Sequence, residues 1–157
     1  VIVAGSGADT IYGDDGTDDL TGGNGADTFV VDDGDSAEIS WADINFDFSF
    51  GEDDQFVGDM DIIRDFKTGV DHLDLDDSLQ FHLIDAYINT TNLAEGFRDT
   101  PSGYALIVAG NFNETNNKFT IDFDTGVDTL VYYDVSGTNE GIILENMTDL
   151  VASTDVI

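Results

Sequence analysis

Three nonapeptides stand in unbroken register at the start of the chain: Ala4-Gly5-Ser6-Gly7-Ala8-Asp9-Thr10-Ile11-Tyr12, then Gly13-Asp14-Asp15-Gly16-Thr17-Asp18-Asp19-Leu20-Thr21, then Gly22-Gly23-Asn24-Gly25-Ala26-Asp27-Thr28-Phe29-Val30. Asp recurs at 9, 18 and 27, and a large apolar residue at 2, 11, 20 and 29. Few folds accept such a period. Each unit divides into a six-residue turn, rich in glycine so that backbones can approach closely, and a three-residue strand whose middle residue (Ile11, Leu20 or Phe29) points inward. Two units close one coil. The fold class this predicts is all-β: a right-handed parallel β-roll, with a thin apolar core between two short sheets. Ile2 falls where the apolar residue of an earlier unit belongs, without the turn that should precede it. The expectation is a chain that starts in mid-coil, as the C-terminal fragment of something longer.

Turns on one edge of such a roll stack 18 residues apart, which sets the turn at 4–9 beside the turn at 22–27. Asp9 and Asp27 then face each other across a gap lined with backbone carbonyls. Oxygen donors in a flexible array suit calcium better than magnesium. Zinc and copper prefer His or Cys; the chain has no Cys, and its two histidines, His72 and His82, lie outside the repeats. Calcium ions are therefore the expected cofactor. Of the 34 acidic residues 28 are Asp, a short side chain that favours turns and hard cations, so the skew points the same way.

The formal net charge is −30, with Arg64, Lys67, Arg98 and Lys118 the only basic residues. Such a surface repels nucleic acid and anionic membranes, which excludes both as partners. Nothing approaches a membrane span, so membrane insertion is not expected, and Val1-Ile2-Val3 does not open a signal peptide. A hydrophobic fraction of 41%, with 11 Phe, nevertheless supplies a core. Folding should depend on metal, because clustered carboxylates repel until a cation binds the folded state. Extracellular calcium modules bind at roughly 10⁻⁴ to 10⁻³ M, so the folded form belongs outside the cell.

Past Val31 the period decays, which divides the chain into a roll at 1–36 and a β-rich capping region at 37–157 that continues it with antiparallel or irregular strands. Residues 31–36 should stack on the turn at 13–18, with Ser36 in place of the key Asp and Asp33 or Asp35 within reach of a second cation. Ile44, Phe46, Phe48 and Phe50 alternate as a half-buried strand does. Asp65-Phe66-Lys67-Thr68-Gly69-Val70-Asp71-His72-Leu73 is echoed by Asp122-Phe123-Asp124-Thr125-Gly126-Val127-Asp128-Thr129-Leu130. Thr-Gly-Val-Asp reads in both as a tight turn, joining strands 62–66 and 72–75, then 119–123 and 129–133. A further strand is expected at 102–110, and short helical turns at 91–97 and 148–152.

With these segments laid out, the chain resembles the C-terminal region of repeats-in-toxin (RTX) proteins, closest to the calcium-binding roll of serralysin-type proteases. Their repeats are followed by a motif like Asp65-Phe66-Lys67-Thr68-Gly69-Val70-Asp71-His72-Leu73-Asp74-Leu75, and the tail from Leu130 to Asp155-Val156-Ile157 is similar to that family's ending. The resemblance implies a non-catalytic module of a larger secreted protein, folding on calcium outside the cell or at its surface. It also implies a C-terminal signal read by the type I (ABC) secretion machinery. Carried onto matching positions, the family's ligand scheme gives the carbonyls of Gly5 and Gly7 with Asp9, facing Gly22, Asn24 and Asp27. The middle repeat would supply Asp14, Gly16 and Asp18, with a partner either in the missing upstream turn or in Asp33. Asp61, Asp65 and Asp71 are candidates for a further calcium, with turn-capping as the competing role.

An enzyme is not expected, since the chain holds neither His-Glu-x-x-His nor Gly-x-Ser-x-Gly, and His72 reads as a structural strand residue. The alternative is a polysaccharide- or surface-binding module with a glycan ligand. Four basic residues argue against a groove for a polyanion.

Overall fold

The computed structural model describes residues 1–32, 34–42, 53–75, 105–135, 138–148 and 155–157. The triplets form strands where the period puts them. β1 (Ile2–Ser6), β2 (Thr10–Tyr12), β3 (Asp19–Asn24) and β4 (Thr28–Val31) are followed by β5 (Ser40–Ala42), β6 (Gln55–Val57), β7 (Asp61–Ile63) and β8 (His72–Leu75). The last four are β9 (Ala105–Asn113), β10 (Lys118–Ile121), β11 (Asp128–Val135) and β12 (Thr138–Leu144). The fold is all-β, with the described residues arranged in two sheets. The larger runs β1-β3-β7-β12-β11-β9-β10-β6-β5 and the smaller β2-β4-β8.

The first coil stacks on the second with the expected register, Ile2 against Leu20 and Ile11 against Phe29. The third coil is built from later sequence. β7 lies parallel to β3, with Ile63 opposite Leu20, and β8 lies parallel to β4, with Leu73 opposite Phe29. β12 then runs parallel to β7, while Val156 makes a parallel bridge to Leu73, so the tail supplies both sides of a fourth layer.

These pairings correct two expectations. The roll does not stop at residue 36, and the strands flanking Thr68-Gly69-Val70-Asp71 are parallel members of different sheets. The second Thr-Gly-Val-Asp copy makes no hairpin either, because β9 lies between β10 and β11. In each copy the turn swings the chain away from its own neighbour. The strand expected at 102–110 is found from Ala105 on as β9, while the alternating segment at 44–50, the helical turn at 91–97 and, but for Thr148, the one at 148–152 lie outside the described residues.

Period-two alternation gives the larger sheet two apolar faces. Ile63, Ile142, Leu144, Val131 and Tyr133 face the smaller sheet and join Ile11, Leu20, Phe29 and Leu73 in the core of the roll. Their neighbours Ile62, Ile143, Leu130 and Tyr132 belong to a second core with Ile39, Phe56, Val108, Phe119 and Ile121. The antiparallel part of the sheet curls to enclose it: the Phe56 ring lies 5.1 Å from that of Tyr132, although β9 and β10 separate their strands. Ile39 N–H donates to the Asn139 carbonyl at 2.8 Å, which brings the chain beside β5 back onto β12. Gly141 permits this closure, since a Cβ there would lie 2.7 Å from Ile39 Cδ1.

Candidate metal centre

Each coil leaves an Asp at the end of its turn, and the next coil answers it. Asp9 N–H donates to Asp27 Oδ1 at 3.0 Å, and Asp27 N–H donates to Asp71 Oδ1 at 3.0 Å. One edge of the roll thus carries a column of three carboxylates. Asp27 and Asp71 are fully buried, and a Cβ at Gly22 would meet Asp27 Oδ2 at 2.5 Å, so only glycine lets that carboxylate fold beneath its own turn. The turns themselves are pressed together. Gly23 and Gly25 have φ of 99° and 150°, and a Cβ on either would collide with the carbonyl of Gly5 or Gly7.

Two oxygens on this edge are left over. Asp9 Oδ2 and Asp27 Oδ2 are buried and have no hydrogen-bond partner in the protein. A buried carboxylate oxygen without a partner is costly, and a cation is the ordinary remedy. With the carbonyls of Gly5 and Gly7 turned toward the second coil, the donor set is hard oxygen throughout, which fits calcium. The Asn24 carbonyl accepts the Gly7 N–H at 2.8 Å and so also ties the two turns directly. Among the described residues no three acidic or histidine side chains converge on one point, so any cation here depends on backbone oxygen as well as on the two Asp.

The opposite edge is built differently. Gly16 N–H donates to the Asp35 carbonyl at 2.8 Å, so Asp35 does stack on the turn that holds Gly16. Ser36, however, is not the counterpart of Asp18. Asp18 N–H donates to Asp61 Oδ1 at 2.7 Å, 43 residues later, and Ser36 Oγ donates to Asp61 Oδ2 at 3.0 Å. The chain makes a long excursion through β5 and β6 before returning an Asp to the position the repeat requires. Gly13 sits beside both carboxylates, each Oδ2 lying 3.7 Å from where its Cβ would be. Burial pushes the Asp61 carboxyl up to about 6, against the lowering effect of its bonds from Asp18 and Ser36. Asp14 holds a φ of 56° in this turn, and Asp33 lies outside the described residues.

The three later candidates do not share a site. Asp61 opens β7 on one edge, whereas Asp65 and Asp71 follow β7 on the other. Asp65 accepts the N–H groups of Gly22 and Gly23 at 2.9 and 2.8 Å. Asp71 accepts those of Asp27 and Lys67 at 3.0 and 2.8 Å. Both act as caps on orphan backbone donors, and His72 is a strand residue opposite Thr28. Sequence reading missed that Asp61 is the partner of Asp18. The signal was present: Asp-x-apolar, which ends every nonapeptide, recurs as Asp61-Ile62-Ile63 and Asp71-His72-Leu73 without the glycine turn in front.

Arg64 ties these regions together. Its guanidinium bonds both oxygens of Asp19 at 2.8 and 2.9 Å, reaches Glu114 at 2.6 Å, and lies 3.1 Å from Glu145. The Arg64 bond holds the carboxyls of Asp19 and Glu114 below their ordinary range.

Residues 1–29 match the family model of the RTX calcium-binding nonapeptide repeat (4 copies). A comparison with curated proteins gave no match to the chain. The first coils are thus repeats of the calcium-binding RTX type, and the partnerless Asp oxygens lie within the matched segment.

Proposed function

We propose that this chain is a non-catalytic calcium-binding module of a larger secreted protein, whose roll folds when calcium becomes available outside the cell. The observation that carries this reading is the pair of buried, partnerless oxygens on Asp9 and Asp27 at the edge of the repeats. Bound calcium would supply the positive charge that lets these carboxylates approach each other. Asp9, Asp27 and the Gly5 and Gly7 carbonyls would hold it, and Asp14, Gly16, Asp18 and Asp61 are the candidate ligands on the opposite edge.

Electrostatics then gives the switch its direction. At a net charge of −30 the calcium-free chain repels itself, which favours the extended form that a type I exporter carries. Calcium binding to the folded form alone contributes about 2.7 kcal/mol per site at a hundred times its dissociation constant. Export through the ABC secretion machinery, with the signal in the tail, rests on the resemblance of the ending at 129–157.

Circular dichroism tests the reading: in chelator the coils of the roll should be unfolded, and millimolar calcium should restore their β-structure. A fully folded spectrum in chelator would overturn the switch. Export is tested separately, by fusing residues 37–157 to a passenger and asking whether an ABC exporter delivers it to the medium.

A further inference from the structure

The same edge has a second gap, between the turn at 22–27 and the turn at 65–71, and equivalent atoms can be compared across the two. In the first gap Asp27 Oδ1 accepts the Asp9 N–H while Asp27 Oδ2 is buried without a partner. In the second, Asp71 Oδ1 accepts the Asp27 N–H in the same way, but Asp71 Oδ2 accepts the Lys67 N–H at 2.8 Å. The carbonyls differ as well. Gly5 points its carbonyl across the first gap at Gly23; Gly23 is its counterpart one coil later, and its carbonyl accepts Lys67 Nζ at 2.7 Å. A single residue therefore supplies both the donor and the positive charge that the first gap lacks.

The local chain is shaped for this. The turn from Ile63 to Leu73 is one residue longer than its counterpart from Leu20 to Phe29. The extra length lets the backbone fold over itself, with the N–H groups of Val70 and Asp71 both donating to the Lys67 carbonyl, at 3.1 and 2.9 Å. Lys67 is held at its own backbone, and its flexible stem carries a compact ammonium back to the preceding coil. Asp65, Asp71 and Asp27 surround this gap, and Lys67 is one of four basic residues in a chain with 34 acids.

We infer that Lys67 is a built-in cation, whose ammonium and backbone N–H do in the second gap what a calcium ion does in the first, so that the ion column on this edge ends there. The inference rests on the calcium reading of the first gap. It assigns Lys67 the role of setting how many calcium ions the edge takes.

Calorimetric calcium titration, with folding followed by circular dichroism, tests it on the wild type, Lys67→Met and Lys67→Arg. The methionine variant should either take up one more calcium per chain than the wild type or need about two- to fivefold more calcium to fold. Lys67→Arg keeps the charge and should match the wild type. If Lys67→Met folds at no calcium concentration while Lys67→Arg does fold, the charge is required in that gap and the inference holds. Equal stoichiometry and equal midpoint in Lys67→Met and the wild type would overturn it while leaving the first gap intact. A wild type that binds no calcium would overturn both.

Discussion

The edge of the first two coils and the curled antiparallel half both bury aspartates, and they treat them differently. Asp128, in the second copy of the Thr-Gly-Val-Asp motif, accepts the N–H of Asn146 on one oxygen and that of Phe112 on the other, each at 2.8 Å. Its carboxylate staples β9 to the chain after β12 using protein donors alone. Asp27 has one oxygen bonded and one left over. Around Asp128 the core is broad, with Phe56, Phe119, Ile121 and Leu130 fully buried, and burial of each such side chain contributes about 1.5–3 kcal/mol. Around Asp27 the coils are thin and held by glycine-tight stacking. The difference teaches where metal dependence resides: in the region whose polar groups the chain does not satisfy by itself.

Calcium removal puts that contrast to its hardest test. In chelator, hydrogen exchange at the amides of Ile11, Thr28 and Phe29 should lose nearly all protection, while Val108, Phe119, Ile121 and Leu130 keep theirs. Simultaneous loss in both regions would show that the two halves form one cooperative unit.

Next in size is a pair of matched substitutions. Asp27→Asn should weaken calcium binding by at least about tenfold, comparable to the loss of other metal-supporting residues. Asp128→Asn should leave the calcium midpoint unchanged and destabilise the folded protein by about 1–3 kcal/mol, because a part-buried N–H loses a charged acceptor. Calorimetry and urea unfolding in saturating calcium separate the two effects.

Arg64→Gln probes the joint between the halves. Its carboxylate partners are all partly exposed, so the loss should be about 1 kcal/mol and should shrink in high salt. A larger loss, insensitive to salt, would mean that the guanidinium stem packs as well as pairs.

The last contrast is in pH dependence. Asp61 is raised to about 6 in the folded protein by burial, so its contribution is full below the unfolded carboxyl range and is lost as pH rises toward and through 6. Calcium-free protein should therefore lose stability across that window, and Asp61→Asn should flatten the profile. An unchanged profile would show that Asp61 is ionised throughout.

The nonapeptides made the first two coils legible, down to the inward residues and the stacking of Asp9 beside Asp27, because a strict period leaves one stacking register. Later coils were not legible, for a physical reason. Parallel strands of a roll are joined by returns of any length, since loop-closure cost grows only slowly with length, and the long excursion before Asp61 erases the period without disturbing the stack. Local reading therefore assigned Ser36 to a position that Asp61 fills, and joined by a tight turn two strands that lie in different sheets, each parallel to its own neighbour. Which oxygens find protein donors was likewise beyond any pattern. Asp27 and Asp71 end the same Asp-x-apolar signature, and only the longer turn that brings the Lys67 N–H to Asp71 Oδ2 tells them apart. Period and residue type determined the kind of coil and the ion it suits. Tertiary structure decided which coils stack, which carboxylates are satisfied and where a lysine stands, because each depends on donors that arrive from distant sequence.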